Sequence, residues 1–224
     1  IPDAQESRGL GDVYKRQEYA WERHCDYLER FGQGQKSVLL LGMNPGPFGM
    51  AQTGVPFGEI PAVRDWMGIS GHVGKPDPEH PKRPITGFSC ERSEVSGRRL
   101  WGLFAERFPD PDKFFETHFV ANYCPLVWMK ETGANLTPDK IPVEAIKPVD
   151  KACLDHLETV IDLLKPKYLV GVGAYAQKQL AGIAERIDPV PTVGRILHPS
   201  PASPAANRDW AGTAKSQLQE LGIW

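Results

Sequence analysis

Four short apolar runs divide the chain, and each is bounded by polar or turn-forming residues. They predict strands at 38–41, 118–122, 168–172 and 193–197. The run at 38–41 is uninterrupted, which is typical of a strand that a parallel sheet buries on both faces. Segments with helical spacing lie between the runs. Because strands alternate with helices, we expect an α/β fold with three αβα layers and a central four-stranded, mainly parallel sheet.

The helices are predicted from apolar residues that recur at intervals of three and four. Trp21, Cys25 and Leu28 would form the inner face of a helix that begins near residue 18 and ends at Gly32. Ser96 is expected to cap the helix that follows it. Further helices are expected at 150–164, at 174–187 and from about residue 208 onward.

Two regions lack this periodicity. Residues 1–17 are expected to be a flexible tail or a non-native remnant, so that residues 18–224 form a single domain. Residues 59–95 are rich in proline, glycine and charge, and they predict a long loop with a short helical piece at 62–67. A loop of that length inside a compact domain usually serves a function.

The composition narrows the class of protein. Of 224 residues, 41% are hydrophobic and 24% are charged, as in soluble globular proteins. The net charge of −2 leaves no basic field over the whole molecule, so nucleic-acid binding would need a local basic patch. No apolar run approaches the roughly 20 residues of a membrane span, and the first residues do not resemble an export signal. We therefore expect no membrane partner and a cytoplasmic location, at the nucleoid in a bacterium or in the nucleus of a eukaryote.

The four cysteines, at positions 25, 90, 124 and 153, contain no C-x-x-C pair. That spacing argues against a zinc site, a thioredoxin-like motif and an iron–sulfur cluster. We expect reduced thiols, no metal and no cofactor.

Three predicted strands end in polar segments rich in proline, at Asn44, Asn122 and His198. Right-handed crossovers place the carboxyl ends of parallel strands at one edge of the sheet, where ligands of open α/β sheets bind. The three side chains are therefore expected to line one pocket. Taken singly, Asn122 is typical of a turn and His198 of a buried, hydrogen-bonded histidine.

The segment 42–58 is rich in glycine, but it contains neither a Walker loop nor the G-x-G-x-x-G fingerprint of dinucleotide-binding proteins. Pro45 and Pro47 remove two backbone donors and stiffen it. A stiff loop suits fixed presentation of Asn44.

Three motifs together resemble one enzyme family. They are GMNPGPFGMAQTGVPFG at 42–58, NYCPL at 122–126 and HPSP at 198–201. In this order they are similar to the single-strand-selective monofunctional uracil-DNA glycosylases, a branch of the uracil-DNA glycosylase superfamily, over residues 18–224. The superfamily fold is an α/β domain with a four-stranded, mainly parallel sheet.

The resemblance implies a role for each motif residue. Asn44 would position the water that attacks the sugar C1′, and His198 would stabilise charge on the leaving base. Phe57 would stack on the flipped base, and Asn122 would read its edge. Other substrate-binding residues implied are Met43, Gly46 and Met50. Gly46 and Met50 would shape the pocket near C5 of the base, which makes 5-hydroxymethyluracil a further expected substrate.

An enzyme of this family must flip the base out of duplex DNA, and the segment after the histidine motif resembles the family's insertion wedge. Ala202 stands where an arginine is expected, which puts action on duplex DNA in doubt. The expected DNA-binding residues are Pro199, Ser200, Pro201, Ala202, Ser203, Asn207 and Arg208. Candidates for phosphate contacts are Lys82, Arg83, Arg92, Arg98, Arg99, Lys130, Arg208 and Lys215.

The implied function is monofunctional hydrolysis of the N-glycosidic bond of uracil and related bases in single- and double-stranded DNA, with xanthine as a further candidate. The partner would be DNA, and the protein would be a monomer. Three alternatives remain at this point. They are a superfamily glycosylase that prefers mismatched or deaminated bases, a DNA-binding relative without catalysis, and a phosphate-binding protein that uses the glycine-rich loop.

Overall fold

The computed structural model describes residues 19–224, so the tail expected at 1–17 lies outside the described residues. In chain order the strands are β1 (Val38–Gly42), β2 (His118–Asn122), β3 (Trp128–Met129), β4 (Asn135–Leu136), β5 (Tyr168–Val172) and β6 (Thr192–Ile196). The helices are α1 (Trp21–Phe31), α2 (Met50–Thr53), α3 (Val95–Arg107), α4 (Pro111–Phe115), α5 (Val143–Leu164), α6 (Ala174–Ala184) and α7 (Pro204–Glu220). Short turns of π- and 3-10 helix lie at Ala62–Trp66, Gly87–Ser89 and Pro138–Lys140.

The central sheet confirms the predicted class. Its strand order is β2-β1-β5-β6, and all three neighbouring pairs are parallel. Gly42 at the end of β1 pairs with Asn122 at the end of β2, so these two strands end level with each other. Helices flank the sheet, and α6 packs against β5 and β6. The predicted strands at 38–41, 118–122 and 168–172 are confirmed, and the fourth begins one residue earlier than predicted.

The inner face of α1 is not the predicted one. Tyr27 and Phe31 are buried, whereas Trp21 is 57% and Leu28 37% exposed. Tyr27 packs edge-on against the ring of Phe115, and its hydroxyl donates to the carbonyl of β2. The face that carries two aromatic rings is the buried one, and apolar spacing alone did not separate the two faces.

Three helix boundaries also differ from the predictions. Ser96 does not cap α3, because Glu94 occupies the N-cap position and Ser96 lies buried in the first turn. Helix α5 begins at Val143, seven residues before the predicted start, and includes Pro148. Helix α6 ends at Ala184, three residues before the predicted end.

The last helix begins before the predicted residue 208. Ser203 caps it, with its hydroxyl oxygen accepting from the N–H of Ala206 (3.4 Å), and Pro204 occupies the first turn. The backbone of Asp209 departs from helical geometry, so α7 has a kink there. Residues 204–207, which belong to the segment that resembles the family's insertion wedge, therefore lie in the first turns of α7. Within residues 19–224, none of the helices has the length and hydropathy of a bilayer span.

Candidate active site

A cavity of about 320 Å³ lies at the carboxyl edge of the sheet, within the size range of small-ligand sites. It brings together Asn44, Asn122 and His198, as the strand ends predicted. The other predicted residues that line it are Met43, Gly46, Met50, Phe57, Ser200 and Pro201. Pro199, Ala202, Ser203, Asn207 and Arg208 are not part of its lining.

The amide of Asn44 is oriented by a neighbouring hairpin. Its Nδ2 donates to the carbonyl oxygen of Leu136 in β4, 3.2 Å away. From the same strand, Asn135 Nδ2 donates to the carbonyl oxygen of Pro45 at 3.3 Å. Because the donor side of the Asn44 amide is engaged, its Oδ1 is the atom left to accept a hydrogen from a water in the cavity.

The amide of Asn122 is likewise engaged through its nitrogen and free at its oxygen. Its Nδ2 donates to the thioether sulfur of Met50 at 3.2 Å, which is a weak acceptor. Its Oδ1 is buried and has no hydrogen-bond partner among residues 19–224. An acceptor left unpaired in a protein interior costs about 1–3 kcal/mol. A ligand that presents an N–H group to Oδ1 would recover that free energy.

Phe57 lies beside this amide in a strained backbone conformation. Its φ is 54°, a value that side-chain-bearing residues adopt rarely. The Phe57 carbonyl accepts from the N–H of Glu59 at 2.7 Å, and the preceding carbonyl, of Pro56, accepts from the indole of Trp101 at 3.2 Å. A Cβ at Gly42 would overlap both the Phe57 ring and Asn122 Oδ1, so this glycine permits their close approach.

The tautomer of His198 follows from its neighbours. The N–H of Ser200 donates to His198 Nδ1 at 3.1 Å, so the neutral ring carries its proton on Nε2. Burial lowers the pKa of His198, which favours this neutral form. The His198 and Phe57 ring centres lie 6.3 Å apart. The site therefore has one N–H donor, at His198 Nε2, that is suited to a developing negative charge.

Gly173 gives the His198 ring its space. Its φ is +95°, and a Cβ there would lie 3.1 Å from His198 Cβ and 3.2 Å from Cδ2. Only glycine adopts this backbone region without strain. The turn from β5 into α6 is therefore shaped to receive the imidazole of a residue that follows β6.

The loop that carries His198 is held from both sides. Arg99 donates to the carbonyl of Pro199 and to Asn207 Oδ1, each at 2.9 Å. Asn207 Nδ2 in turn donates to the carbonyl of Pro201 at 2.8 Å. Arg99 and Asn207 were candidates for DNA contacts, and the structure shows both engaged within the protein, where they fix the histidine loop.

The comparisons with known proteins agree with this geometry. A family model described as "Uracil DNA glycosylase superfamily" matches residues 29–220. The chain belongs to the uracil DNA glycosylase superfamily. It is 47% identical over 219 residues to a bovine (Bos taurus) protein named single-strand selective monofunctional uracil DNA glycosylase, covering 98% of this chain and 80% of that protein. The protein of that name from Rattus norvegicus is 47% identical over 214 residues, covering 96% of this chain and 77% of that protein. The chain is therefore a member of this glycosylase family. Members of the superfamily are hydrolases of N-glycosyl bonds.

A solved structure supports the superfamily fold independently. The crystal structure of wild-type Pedobacter heparinus SMUG2 superimposes with a TM-score of 0.63 at 16% identity, covering 92% of this chain and 85% of that chain. At that identity the likeness concerns the fold alone. It agrees with the parallel four-stranded sheet of this glycosylase.

Sequence reasoning missed part of the glycosylase cavity. Glu94, Ser96, Asn135 and Thr137 line it, and so do Pro47 and Phe48 of the first motif. Burial raises the pKa of Glu94, and the backbone N–H groups of Ser96 and Phe48 partly oppose this shift. The β3–β4 hairpin has two-residue strands, which leave no periodic signal. Among residues 19–224 no group of three or more His, Cys, Asp or Glu side chains is arranged to hold a metal ion.

Proposed function

We propose that this protein removes uracil from DNA by hydrolysing the bond between the base and C1′ of its deoxyribose. The single observation that carries the proposal is the unpaired Asn122 Oδ1, which lies in the same cavity as the Nε2–H of His198 and the Oδ1 of Asn44. The names of the family relatives point to the same activity.

Base recognition follows from the Asn122 amide. Uracil presents an N3–H donor beside an O4 acceptor, which match the free Oδ1 and the weakly engaged Nδ2 of Asn122. Cytosine presents the opposite groups at these positions, so binding it would leave buried polar atoms unpaired. In this proposal the ring of Phe57, which lines the same cavity, stacks on the bound base.

Cleavage of the glycosidic bond depends more on stabilising the departing uracil than on a strong general base that would deprotonate the water. As the C1′–N1 bond breaks, its electron pair leaves with uracil, and the negative charge spreads to O2 and O4. Nε2–H of neutral His198 donates to O2, and a fixed donor in a cavity stabilises such a charge strongly. The backbone bond from Ser200 to Nδ1 keeps that donor in place.

The sugar is left with positive charge at C1′ and accepts even a weak nucleophile. Asn44 Oδ1 accepts a hydrogen from the water and orients its oxygen toward C1′. An amide does not take up the proton, which ends on the released uracil anion. The reaction therefore gives free uracil and an abasic site without a covalent enzyme intermediate, as the word monofunctional describes.

The substrate range extends beyond uracil in this proposal. Gly46 and Met50, which the family resemblance assigns to the pocket near C5, border the cavity, so 5-hydroxymethyluracil is included. Xanthine is a further candidate substrate. Single-stranded DNA is preferred to duplex, because exposed Ala202 is too short to fill the gap that a flipped base leaves.

The deciding experiment measures base release from single- and double-stranded oligonucleotides that carry uracil, 5-hydroxymethyluracil, xanthine or thymine. We expect release of uracil and 5-hydroxymethyluracil, faster from single strands, and little release of thymine. An abasic product that stays uncleaved until treated with alkali would support hydrolysis without strand incision. No release of any base at high protein concentration would refute the proposal.

A further inference from the structure

A basic surface borders the cavity at Phe48, which is itself part of the cavity lining. The guanidinium carbon of Arg92 lies 4.3 Å from the centre of the Phe48 ring, and that of Arg83 lies 5.3 Å from it. Both distances fall within the roughly 6 Å range of cation–π contacts. We call Phe48, Arg83 and Arg92 the basic rim.

Arg92 contacts Phe48, and its N–H groups form no hydrogen bond within the described part of the chain. Its side chain is exposed, and within the described part of the chain its guanidinium stacks on Phe48 without any hydrogen bond or ion pair. This contact with the ring forms no hydrogen bond to an oxygen, so the N–H groups of Arg92 stay available. A planar guanidinium with free N–H groups suits two oxygens of a phosphate.

Arg83 is fixed by the β3–β4 hairpin. Its side chain packs against Gly133, which lies between β3 and β4: the guanidinium carbon is 3.1 Å from the position that a Cβ on Gly133 would occupy. Arg83 also donates to the carbonyl of Lys82 at 2.8 Å. His80 Nε2 donates to the carbonyl of Lys130 at 3.0 Å and so fastens the same segment to the hairpin. This hairpin also orients Asn44, so the rim and the reacting centre share one support.

We infer that the basic rim binds a backbone phosphate of the DNA strand whose base occupies the cavity. The inference rests on the proposed function, because that function supplies the occupant. A base in the cavity leaves its sugar and phosphates at the cavity mouth, where Phe48 and the cations on it lie. The contact reads charge and not sequence, and it needs no second strand, so it serves single-stranded DNA as well as duplex.

The test uses the whole chain and a single-stranded oligonucleotide with one 2′-fluoro-2′-deoxyuridine. Fluorine withdraws electrons from C1′ and keeps the glycosidic bond intact, so binding is measured apart from catalysis. Anisotropy titrations at several salt concentrations give the slope of log K against log salt, which changes by about 0.7 for each phosphate contact with a single strand. Arg92→Gln and Arg83→Gln are each expected to make the slope shallower, and the double variant, which loses the phosphate contact altogether, by about 0.7.

The matched control is Arg186→Gln. Arg186 is exposed, pairs with Glu158 at 3.2 Å and lies just after α6, away from the carboxyl edge of the sheet. The slope of the Arg186→Gln variant is expected to equal that of the wild type. A wild-type slope in both rim variants would overturn the inference. If the rim variants have shallower slopes but the wild-type protein releases no uracil from a cleavable strand, the glycosylase activity is refuted. The inference that the rim binds a phosphate would still hold.

Discussion

Asn44 and Leu136 are 92 residues apart in the chain, and the Asn44 amide donates to the Leu136 carbonyl at 3.2 Å. This bond joins the first motif to a hairpin that has no motif of its own. The bond decides which atom of the Asn44 amide can bind a ligand in the cavity. Nδ2 is already engaged with Leu136, so Oδ1 is the free atom. The role proposed for Asn44, orienting water without accepting its proton, follows from that bond.

The first prediction concerns Asn44 itself. Asn44→Ala removes the water-orienting oxygen and is expected to lower single-turnover release of uracil about 100-fold, since misplacement of a reactant costs on the order of 10²-fold. The thermal midpoint should change little, because the side chain is only half-buried. Rapid-quench assays and thermal unfolding measure the two quantities. Near wild-type release would reject the role of Asn44.

A second prediction tests the space that Gly173 gives His198. In Gly173→Ala the new Cβ would crowd the imidazole of His198. Alanine would also be strained at the backbone φ of +95° that Gly173 adopts. We expect slower uracil release and a loss of stability of about 1–3 kcal/mol. Gly182→Ala is the control, because Gly182 lies exposed in α6 with nothing within 4 Å of its Cβ position. It should keep full activity and gain up to about 1 kcal/mol of helix stability.

A third prediction concerns the base-reading amide. In Asn122→Asp an ionised carboxylate offers two acceptors and no donor, so it repels uracil O4. Uracil release is expected to fall, and the preference for uracil over cytosine should shrink. Competition assays with mixed oligonucleotides give the ratio directly. Unchanged discrimination against cytosine would count against Asn122 as the base reader.

A fourth prediction concerns stability and pH. His118 begins β2 on the edge of the sheet away from the cavity, and burial lowers its pKa to about 4. The unfolded chain, with a pKa near 6.5, takes up the proton first as pH falls. The contribution of His118 is therefore complete above pH 6.5 and is lost as pH falls toward 4, by about 3 kcal/mol.

Urea unfolding between pH 7 and 4 measures this loss. His118→Asn keeps a polar group near Thr117 and removes the titration, so its stability should fall less over the same pH range. His72→Gln, at an exposed position, serves as the control and should follow the wild type. The same pH dependence in all three proteins would exclude His118 as its source.

A fifth prediction concerns duplex DNA. Ala202 is exposed beside the start of α7, and its N–H donates to the Ser200 hydroxyl at 3.2 Å. Ala202→Arg adds a long cation that fills the vacated stack and reaches a phosphate. We expect uracil release from duplex to rise several-fold relative to release from a single strand. Ala202→Gln, which is long but neutral, separates the effect of length from that of charge, and no gain with arginine would reject the wedge interpretation.

The strands show how far local pattern carries. The runs at 38–41, 118–122 and 168–172 are largely apolar because the sheet is covered on both faces, and that requirement is visible in the sequence. The helices were predicted less well. Trp21 and Tyr27 are both aromatic, and only the position of Phe115 and the β2 carbonyl decides which of them is buried.

The parallel α/β sheet and the meeting of Asn44, Asn122 and His198 can be predicted from sequence pattern alone. Strand ends converge in such a sheet through chain topology alone. The tertiary structure decided which atoms of these side chains remain free. Leu136, Met50 and Ser200 engage one polar atom of each, and those partners come from a hairpin, a helix and a loop backbone that carry no periodic signal. Hydrogen bonds between distant segments depend on folded geometry, so neither the orientation of each amide nor the tautomer of His198 can be derived from local sequence pattern.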